Sequence, residues 1–353
     1  MIFLALTTLA LYVILIFSYN RGWDRLLLFE DDVNTPITVV IAFRNEARQL
    51  PMLLDDFSNQ NYSTSLVEFI FVDDFSDDNS FDIVESYPIK KQLLKSPNAG
   101  KKAAIEYAIK HASNDIILTT DADCRVSSNW IVKMVSPFIN NDVQFVFGPV
   151  SYHPLISLFD KFQALEFMSL IASGAGAAGN NKAFMCNAAN MAFRKSIFQT
   201  TEHKIASGDD VFLLHHVKRN NGKICFVKEQ QAIVTTQSKK RLSEFINQRK
   251  RWASKSSSYK DKDALWSAFL VFSTNFFLLY FLVVSQLKAF LLIYAIKSIV
   301  DYFFLKKVVS FFRLKNIFPL FWVLQIIYPF YVVGVAFVSQ FTTYQWKKRE
   351  YSK

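Results

Sequence analysis

Two aspartates separated by one small residue, Asp121-Ala122-Asp123, close the apolar run Ile116-Ile117-Leu118. A buried strand that stops there sets both carboxylates at its carboxyl end, the edge of an open α/β sheet where ligands sit. Carboxylates this close repel unless a cation joins them. A hard divalent ion, Mg2+ or Mn2+, suits oxygen donors and would also hold a substrate's phosphates. Taken alone, an Asp-X-Asp is more often a turn or a helix cap. Four further clusters give it weight: Ala42-Phe43-Arg44-Asn45-Glu46, Val72-Asp73-Asp74-Phe75-Ser76-Asp77-Asp78, Gly208-Asp209-Asp210 and Gln248-Arg249-Lys250-Arg251-Trp252.

Positioning these clusters needs strands and helices in alternation. Ile37–Phe43 and Glu68–Val72 read as strands, each ending at one of the clusters. Helices are expected over 47–59, 79–86 and 99–111, with a short strand near 91–95 and the central strand over 115–120. Pro51 is tolerable only near a first helical turn. Beyond that, 127–140 reads as helix, 143–150 as strand and 155–172 as an amphipathic helix. Residues 184–194 read as extended, 209–220 as helix, 223–227 and 231–236 as extended, and 241–255 as helix. This alternation implies an α/β domain over 36–260 with a mostly parallel sheet and right-handed crossovers. Ala99-Gly100-Lys101 opens a helix whose start favours an anion, although Lys101-Lys102 also fits a solvated helix start.

The flanks are apolar. Of 353 residues, 51% are hydrophobic and 36 are Phe, more than one soluble core needs. Residues 1–18 carry no charge and are followed by Arg21 and Arg25. They lack the basic start and small-residue cleavage site of a signal peptide, so they read as an uncleaved membrane helix with the next segment in the cytoplasm. Residues 264–284 are uncharged, 289–304 form a second apolar stretch holding Lys297 and Asp301, and 317–341 a third with Pro319 and Pro329. Lys297 and Asp301 are four apart, so they share a helix face and can pair within a membrane. Residues 306–315 are basic and amphipathic. About three C-terminal spans over 264–341 are thus expected, then a basic tail, 342–353. Three spans after a cytoplasmic domain would put Trp346-Lys-Lys-Arg349 outside, against the positive-inside tendency. The net charge of +10 suits an anionic partner: nucleic acid, anionic lipid or a phosphorylated substrate. Cys124, Cys186 and Cys225 are far apart, which suggests neither a disulfide framework nor a zinc site.

In order and spacing, the five clusters resemble the membrane-bound family 2 glycosyltransferases: cellulose, hyaluronan and poly-N-acetylglucosamine synthases, with ceramide glucosyltransferases as close relatives. The pattern is Asp, Asp-X-Asp, (Glu/Asp)-Asp and Gln-X-X-Arg-Trp, here Asp73-Asp74, Asp121-Ala-Asp123, Asp209-Asp210 and Gln248-Arg249-Lys250-Arg251-Trp252. The resemblance covers about 36–255 and implies a Rossmann-like GT-A domain with transmembrane helices at both ends. It also implies a UDP-sugar donor, a lipid or glycan acceptor at the membrane, a Mg2+ or Mn2+ cofactor and no nucleic acid. On this reading Ala42, Arg44, Glu46, Asp73, Asp74 and Lys101 hold the donor, and the metal sits on Asp123 steered by Asp121. Asp210 is the candidate general base, which takes the acceptor hydroxyl's proton. Asp209 and Asn187 face the acceptor. Gln248, Arg249 and Arg251 reach the donor, and Trp252 offers a flat face to a sugar ring.

Each has a plainer reading. Asp209-Asp210 can simply cap a helix. His203, His215 and His216 are rival bases, but 215–216 fall within an amphipathic helix. The Gln248–Trp252 helix also fits a membrane-surface belt, with nine Lys or Arg against two acids over 239–262. Three departures from the pattern stand out. The fourth motif is Asp-Asp rather than Thr-Glu-Asp, 184–194 lacks the usual glycine, and the few spans argue against a long polymer channel. The reading is an inverting glycosyltransferase of the cell (inner) membrane. Its alternatives are a polyprenyl-phosphate sugar synthase, a catalytically silent nucleotide-sugar binder, and a transporter built around Lys297 and Asp301.

Overall fold

The computed structural model describes residues 1–31, 33–198, 209–256, 258–341, 344–346 and 349–351. The chain divides into two compact units. One is Leu26–His153 with Met185–Gln237, and the other is Met1–Arg25, Pro154–Phe184 and Ser238–Lys353. Of the segment 36–260, therefore, residues 154–184 and 238–260 fold with the long apolar helices.

Helix α1 (Ile2–Arg25) opens the chain. The α/β unit then runs β1 (Ile37–Phe43), α2 (Leu50–Ser58), β2 (Val67–Asp73), α3 (Ser80–Ser86), β3 (Lys91–Lys95), α4 (Lys101–His111), β4 (Ile116–Thr119), α5 (Trp130–Val135), β5 (Val143–Phe147) and β6 (Val150–Tyr152). After α6 (Leu158–Ala178) it resumes with β7 (Met191–Arg194), α7 (Asp209–Arg219), β8 (Lys223–Phe226) and β9 (Val234–Thr236). The remaining helices are α8 (Leu242–Ser256), α9 (Lys262–Val283), α10 (Leu287–Phe311) and α11 (Phe321–Phe341).

Seven strands form one sheet in the order β3-β2-β1-β4-β7-β5-β8. Strands β1 to β4 are parallel, β7 is antiparallel to both neighbours, and β5 and β8 are parallel. Strands covered on both faces read as unbroken apolar runs, as Val39–Phe43 does. Register sets Phe43 opposite Asp73, so β1 and β2 end level and deliver both acidic clusters to one edge. Trp130, fully buried, donates from Nε1 to Asn190 at 2.9 Å, and Asn190 donates to the Pro149 and Ala232 carbonyls.

Three sequence boundaries move, each for a local reason. The expected strand 143–150 splits at Gly148-Pro149, since Pro lacks the N–H a ladder needs. Residues 184–194 are extended only over β7, because Ala188–Asn190 form a tight turn in which the Asn187 side chain accepts from Ala189 N–H at 3.0 Å. Pro137 turns the end of the 127–140 helix into a 3-10 turn at Ser136–Ile139.

The helical unit buries Ala5, Leu9, Phe277, Leu278, Phe281 and Ile293 together, joining α1, α9 and α10. Helix α1 crosses α6 at glycines: a Cβ on Gly22 would lie 1.8 Å from the Gly176 carbonyl oxygen, and one on Gly179 2.0 Å from that of Gly22. Such contact needs residues without side chains. Among the described residues, three helices are long and apolar enough to cross a membrane: Ile2–Arg25, Lys262–Val283 and Lys315–Ser339. Helix α10 matches them in length but carries Lys297 and Asp301, which pair at 2.7 Å and are both buried.

Candidate active site

Strand ends and helix starts of the α/β unit bring four of the clusters into one hydrogen-bonded string. After β1 the chain turns at Asn45, whose φ of 55° lies in the left-handed region. The Phe43 carbonyl accepts from Asp74 N–H at 2.8 Å, which ties the first cluster to the second. Asp73 and Asp74 are buried, and Asp73 Oδ1 accepts from Ser76 N–H at 3.1 Å. Asp74 Oδ1 accepts from Gly100 N–H at 2.6 Å. Gly100 has φ 123°, a conformation that L side chains rarely adopt, so glycine is what lets the loop turn this amide onto the carboxylate.

The next residue, Lys101, opens α4 and forms an ion pair with Asp121 beyond β4. Burial works against charge on the Lys101 ammonium, but Asp121 and then Asp123 more than offset it and raise its pKa. The neighbouring Cys124 thiol is pushed well up, by burial first and then by Asp123 and Asp121. Asp121 and Asp123 are half-buried on a turn. Within β4, Thr119 Oγ1 donates to the Ala188 carbonyl at 2.9 Å, and Ala188 N–H donates to Asp210 Oδ2 at 3.0 Å. Asp210 stands in the first turn of α7, which begins at Asp209. Asp74, Gly100, Lys101, Asp121, Asp123, Asn187 and Asp210, from five separate stretches of chain, are thereby gathered.

Ala42, Arg44 and Glu46 lie half-buried at the end of β1, and Glu46 N–H donates to Ser80 Oγ at 2.8 Å. The backbone of Asp209 starts α7, whereas Gly208 and His203 fall outside the described residues. His215 is buried, and His216 sits 3.1 Å from the Asn220 amide.

Gln248, Arg249, Arg251 and Trp252 stand on α8, in the helical unit. Arg249, expected at the donor, is 3% exposed, with its guanidinium committed to Glu166 of α6 at 2.5 Å. Gln248 Oε1 accepts from Arg249 Nη1 at 2.7 Å, and the Trp252 ring centroid lies 4.2 Å from the guanidinium carbon. Sequence reasoning passed over Thr119, Ala188, Glu166 and Tyr331. Ala188 acts through its main-chain N–H and carbonyl, and Thr119 through a hydroxyl that looks like any strand threonine in sequence, so neither carries a composition signal. Glu166 had one: a lone acid within an apolar helix, Ala164-Leu165-Glu166-Phe167-Met168.

Comparisons with known proteins bear on the family and the fold. Residues 38–201 match the family model "Glycosyl transferase family 2". The undecaprenyl-phosphate 4-deoxy-4-formamido-L-arabinose transferase of Yersinia enterocolitica is 29% identical over 175 residues, 47% of this chain and 51% of that protein. The poly-beta-1,6-N-acetyl-D-glucosamine synthase of Staphylococcus aureus is 29% identical over 168 residues, 44% of this chain and 39% of that one. The chain thus spans about half or less of the length of these curated relatives. The mannosyltransferase PcManGT from Pyrobaculum calidifontis, solved with GDP-Man and Mn2+, superposes with a TM-score of 0.58 at 16% identity, over 91% of this chain and 95% of that one. Residues 38–201 thus match a family 2 glycosyltransferase domain, and the mostly parallel sheet is similar in fold to a GT-A-type enzyme.

Proposed function

We propose that the protein is an inverting glycosyltransferase that moves a sugar from a nucleotide sugar, a UDP-sugar first, to a lipid or glycan acceptor at a membrane. The observation that carries this is the hydrogen-bonded string from Asp74 through Gly100, Lys101 and Asp121 to Ala188 and Asp210. It joins an acidic nucleoside-type pocket, a cation for phosphate and a candidate base at the carboxyl edge of parallel strands, where open α/β sheets bind ligands.

Asp73, Asp74, Arg44, Glu46 and the Ala42 backbone are assigned to the nucleoside, and Lys101 to the diphosphate. Among the described residues no group of three or more His, Cys, Asp or Glu could hold a metal alone. The hard oxygen donors of Asp121 and Asp123 still fit a divalent cation completed by diphosphate oxygens. Asp123 is the carboxylate assigned to the ion, steered by Asp121, which Lys101 engages. When bound, such an ion offsets charge on the departing diphosphate. In the transfer, the acceptor oxygen bonds to the anomeric carbon as the bond to the diphosphate breaks, and Asp210 takes the acceptor's proton. The Ala188 N–H fixes the direction of that carboxylate. Asn187 and Asp209 are placed on the acceptor side.

The name of the Yersinia relative favours a second reading, transfer to a polyprenyl phosphate. One experiment tests both. The full chain in lipid nanodiscs, with Mn2+ or Mg2+, is given UDP-glucose, UDP-N-acetylglucosamine or GDP-mannose. Each donor is paired with undecaprenyl phosphate, diacylglycerol or a β-1,6-linked N-acetylglucosamine oligomer, and products are read by mass spectrometry. A glycosylated acceptor with an equivalent of nucleoside diphosphate supports the proposal and names the class. No nucleoside diphosphate from any donor leaves a silent binder.

A further inference from the structure

Within the helical unit, one buried carboxylate organises the Gln-Arg-Lys-Arg-Trp segment. Glu166 and Arg249 are 2% and 3% exposed. Arg249 donates from Nη2 to Glu166 Oε2 at 2.5 Å and from Nε to Oε1 at 3.3 Å. Tyr331, on α11, donates its hydroxyl to Glu166 Oε1 at 2.9 Å. The guanidinium so held donates to Gln248 Oε1 at 2.7 Å and lies 4.2 Å from the Trp252 ring centroid and 4.5 Å from that of Phe245. Phe167, next to Glu166, meets the Trp252 ring, with centroids 5.6 Å apart. Both side chains of the motif that touch Arg249 therefore take their orientation from a group that α6 and α11 clamp.

We propose that Glu166 and Tyr331 are positioning residues that act through Arg249 to fix Gln248 and the Trp252 ring. The consequence for acceptor binding rests on the reading of Trp252 given above. A buried ion pair is weak grounds for stability, because desolvation offsets the attraction, but it does specify one arrangement of the groups around it. A fork-shaped guanidinium bonded twice to a carboxylate leaves Arg249 one geometry, and its flat face then gives Trp252 one partner plane. Tyr331 adds a hydrogen bond from an apolar helix, so a movement of α11 is transmitted to the motif. The membrane-facing helices are by this route part of the machinery that sets the acceptor platform.

The test uses the full chain in nanodiscs. Trp252 emission is isolated as the difference between each variant and the same variant carrying Trp252→Phe, and its quenching by acrylamide is measured. Tyr331→Phe keeps the ring stacked on Phe245, 5.8 Å between centroids, and removes one hydrogen bond only, so it is the variant expected to fold if Glu166→Gln does not. Both variants should raise Trp252 quenching. With the acceptor probe that turns over, the acceptor KM should rise about threefold to tenfold, the worth of one hydrogen bond, while slow hydrolysis at saturating donor stays put. In a Trp252→Ala background Glu166→Gln should add nothing, as expected of residues that act as a unit. Unchanged Trp252 quenching in Tyr331→Phe and Glu166→Gln would overturn the inference, and so would an equal fall in donor hydrolysis. If Trp252→Ala leaves the acceptor KM unmoved while quenching still responds, positioning of the ring stands and the acceptor role of Trp252 is what fails.

Discussion

At the residue scale the predictions separate base, cation and clamp. Asp210→Asn keeps size and can still accept from Ala188 N–H, so the local turn should survive. Donor affinity should change little while turnover falls about 10²-fold or more, the range for a lost general base. Equal losses in donor binding and transfer, read by calorimetry and product formation, would make Asp210 a donor-site residue instead. Lys101→Met removes the charge that faces Asp121, and donor binding should weaken by about 2 kcal/mol, a charge-assisted hydrogen bond. Asp123→Asn should abolish transfer without lowering the melting temperature, and excess EDTA should do the same to the wild type; full activity in EDTA would contradict the assigned ion. Asp123 follows the apolar strand β4, whereas Lys101 and Asp210 stand in the first turns of α4 and α7, and those positions are what a sequence pattern can mark. Arg249, expected at the donor, stands buried against Glu166. A buried Arg and an exposed Arg look alike in sequence, and only the fold supplies Glu166 from 83 positions away.

At the scale of elements, the strands of the sheet were the easiest to read, since a parallel strand covered on both faces is a continuous apolar run. Turns that depend on one side chain, such as Asn187 capping Ala188–Asn190, were not. Helix α6 began where a capping box allows: Ser157 Oγ accepts from Asp160 N–H, and Asp160 Oδ2 accepts from Ser157 N–H at 2.8 Å. Burial tends to raise the Asp160 carboxyl, but hydrogen bonds from Ser238 and Ser157 outweigh it and bring the pKa down to about 2. A depressed carboxyl contributes stability that is fully present above its unfolded value, about 3.9, and is lost as pH falls through 2. Asp160→Asn should therefore cost about 2 kcal/mol at neutral pH, and the gap to wild type should close as pH falls from 4 to 2 in chemical unfolding. A gap independent of pH would show that Asp160 acts by shape alone. The α1–α6 crossing gives a second element-scale test. Gly22→Ala pushes a methyl onto the Gly176 carbonyl and should lower stability in detergent by about 1–3 kcal/mol, the usual cost of overpacking. No fall in melting temperature would mean the helices part easily there.

At the scale of the whole molecule, the question is how many helices cross the membrane. Helix α10, expected as a span over 289–304, carries more charge than the three most apolar helices, yet it follows α1 from end to end. Ile293 packs with Ala5 and Leu9, Asp301 accepts from the Tyr12 hydroxyl at 2.7 Å, and Lys307 pairs with Asp24 at 2.7 Å. The charges in its middle face inward, where Lys297 and Asp301 meet each other and Gln325, while Leu291, Leu292, Ile299 and Phe303 are exposed. Polar groups inside and apolar groups outside is the arrangement lipid requires. Helix α10 is accordingly assigned as a fourth span, parallel to α1. Arg21, Arg25, Lys306, Lys307, Arg313 and Lys315 then mark the end these two helices share, and the positive-inside tendency makes that end cytoplasmic. The chain leaves α1 at this end, so the glycosyltransferase domain should be cytoplasmic, where nucleotide sugars are made. With Cys124, Cys186 and Cys225 replaced, a cysteine at the exposed Ser128 should resist an impermeant thiol reagent in intact cells and react after lysis. A cysteine at Gln286, between α9 and α10, should react in intact cells, because one span, α10, then separates it from Lys307 by the full membrane thickness. Labelling of Ser128→Cys in intact cells would invert the topology. Protection of Gln286→Cys before lysis, with labelling after it, would leave α9 and α10 a hairpin that does not cross.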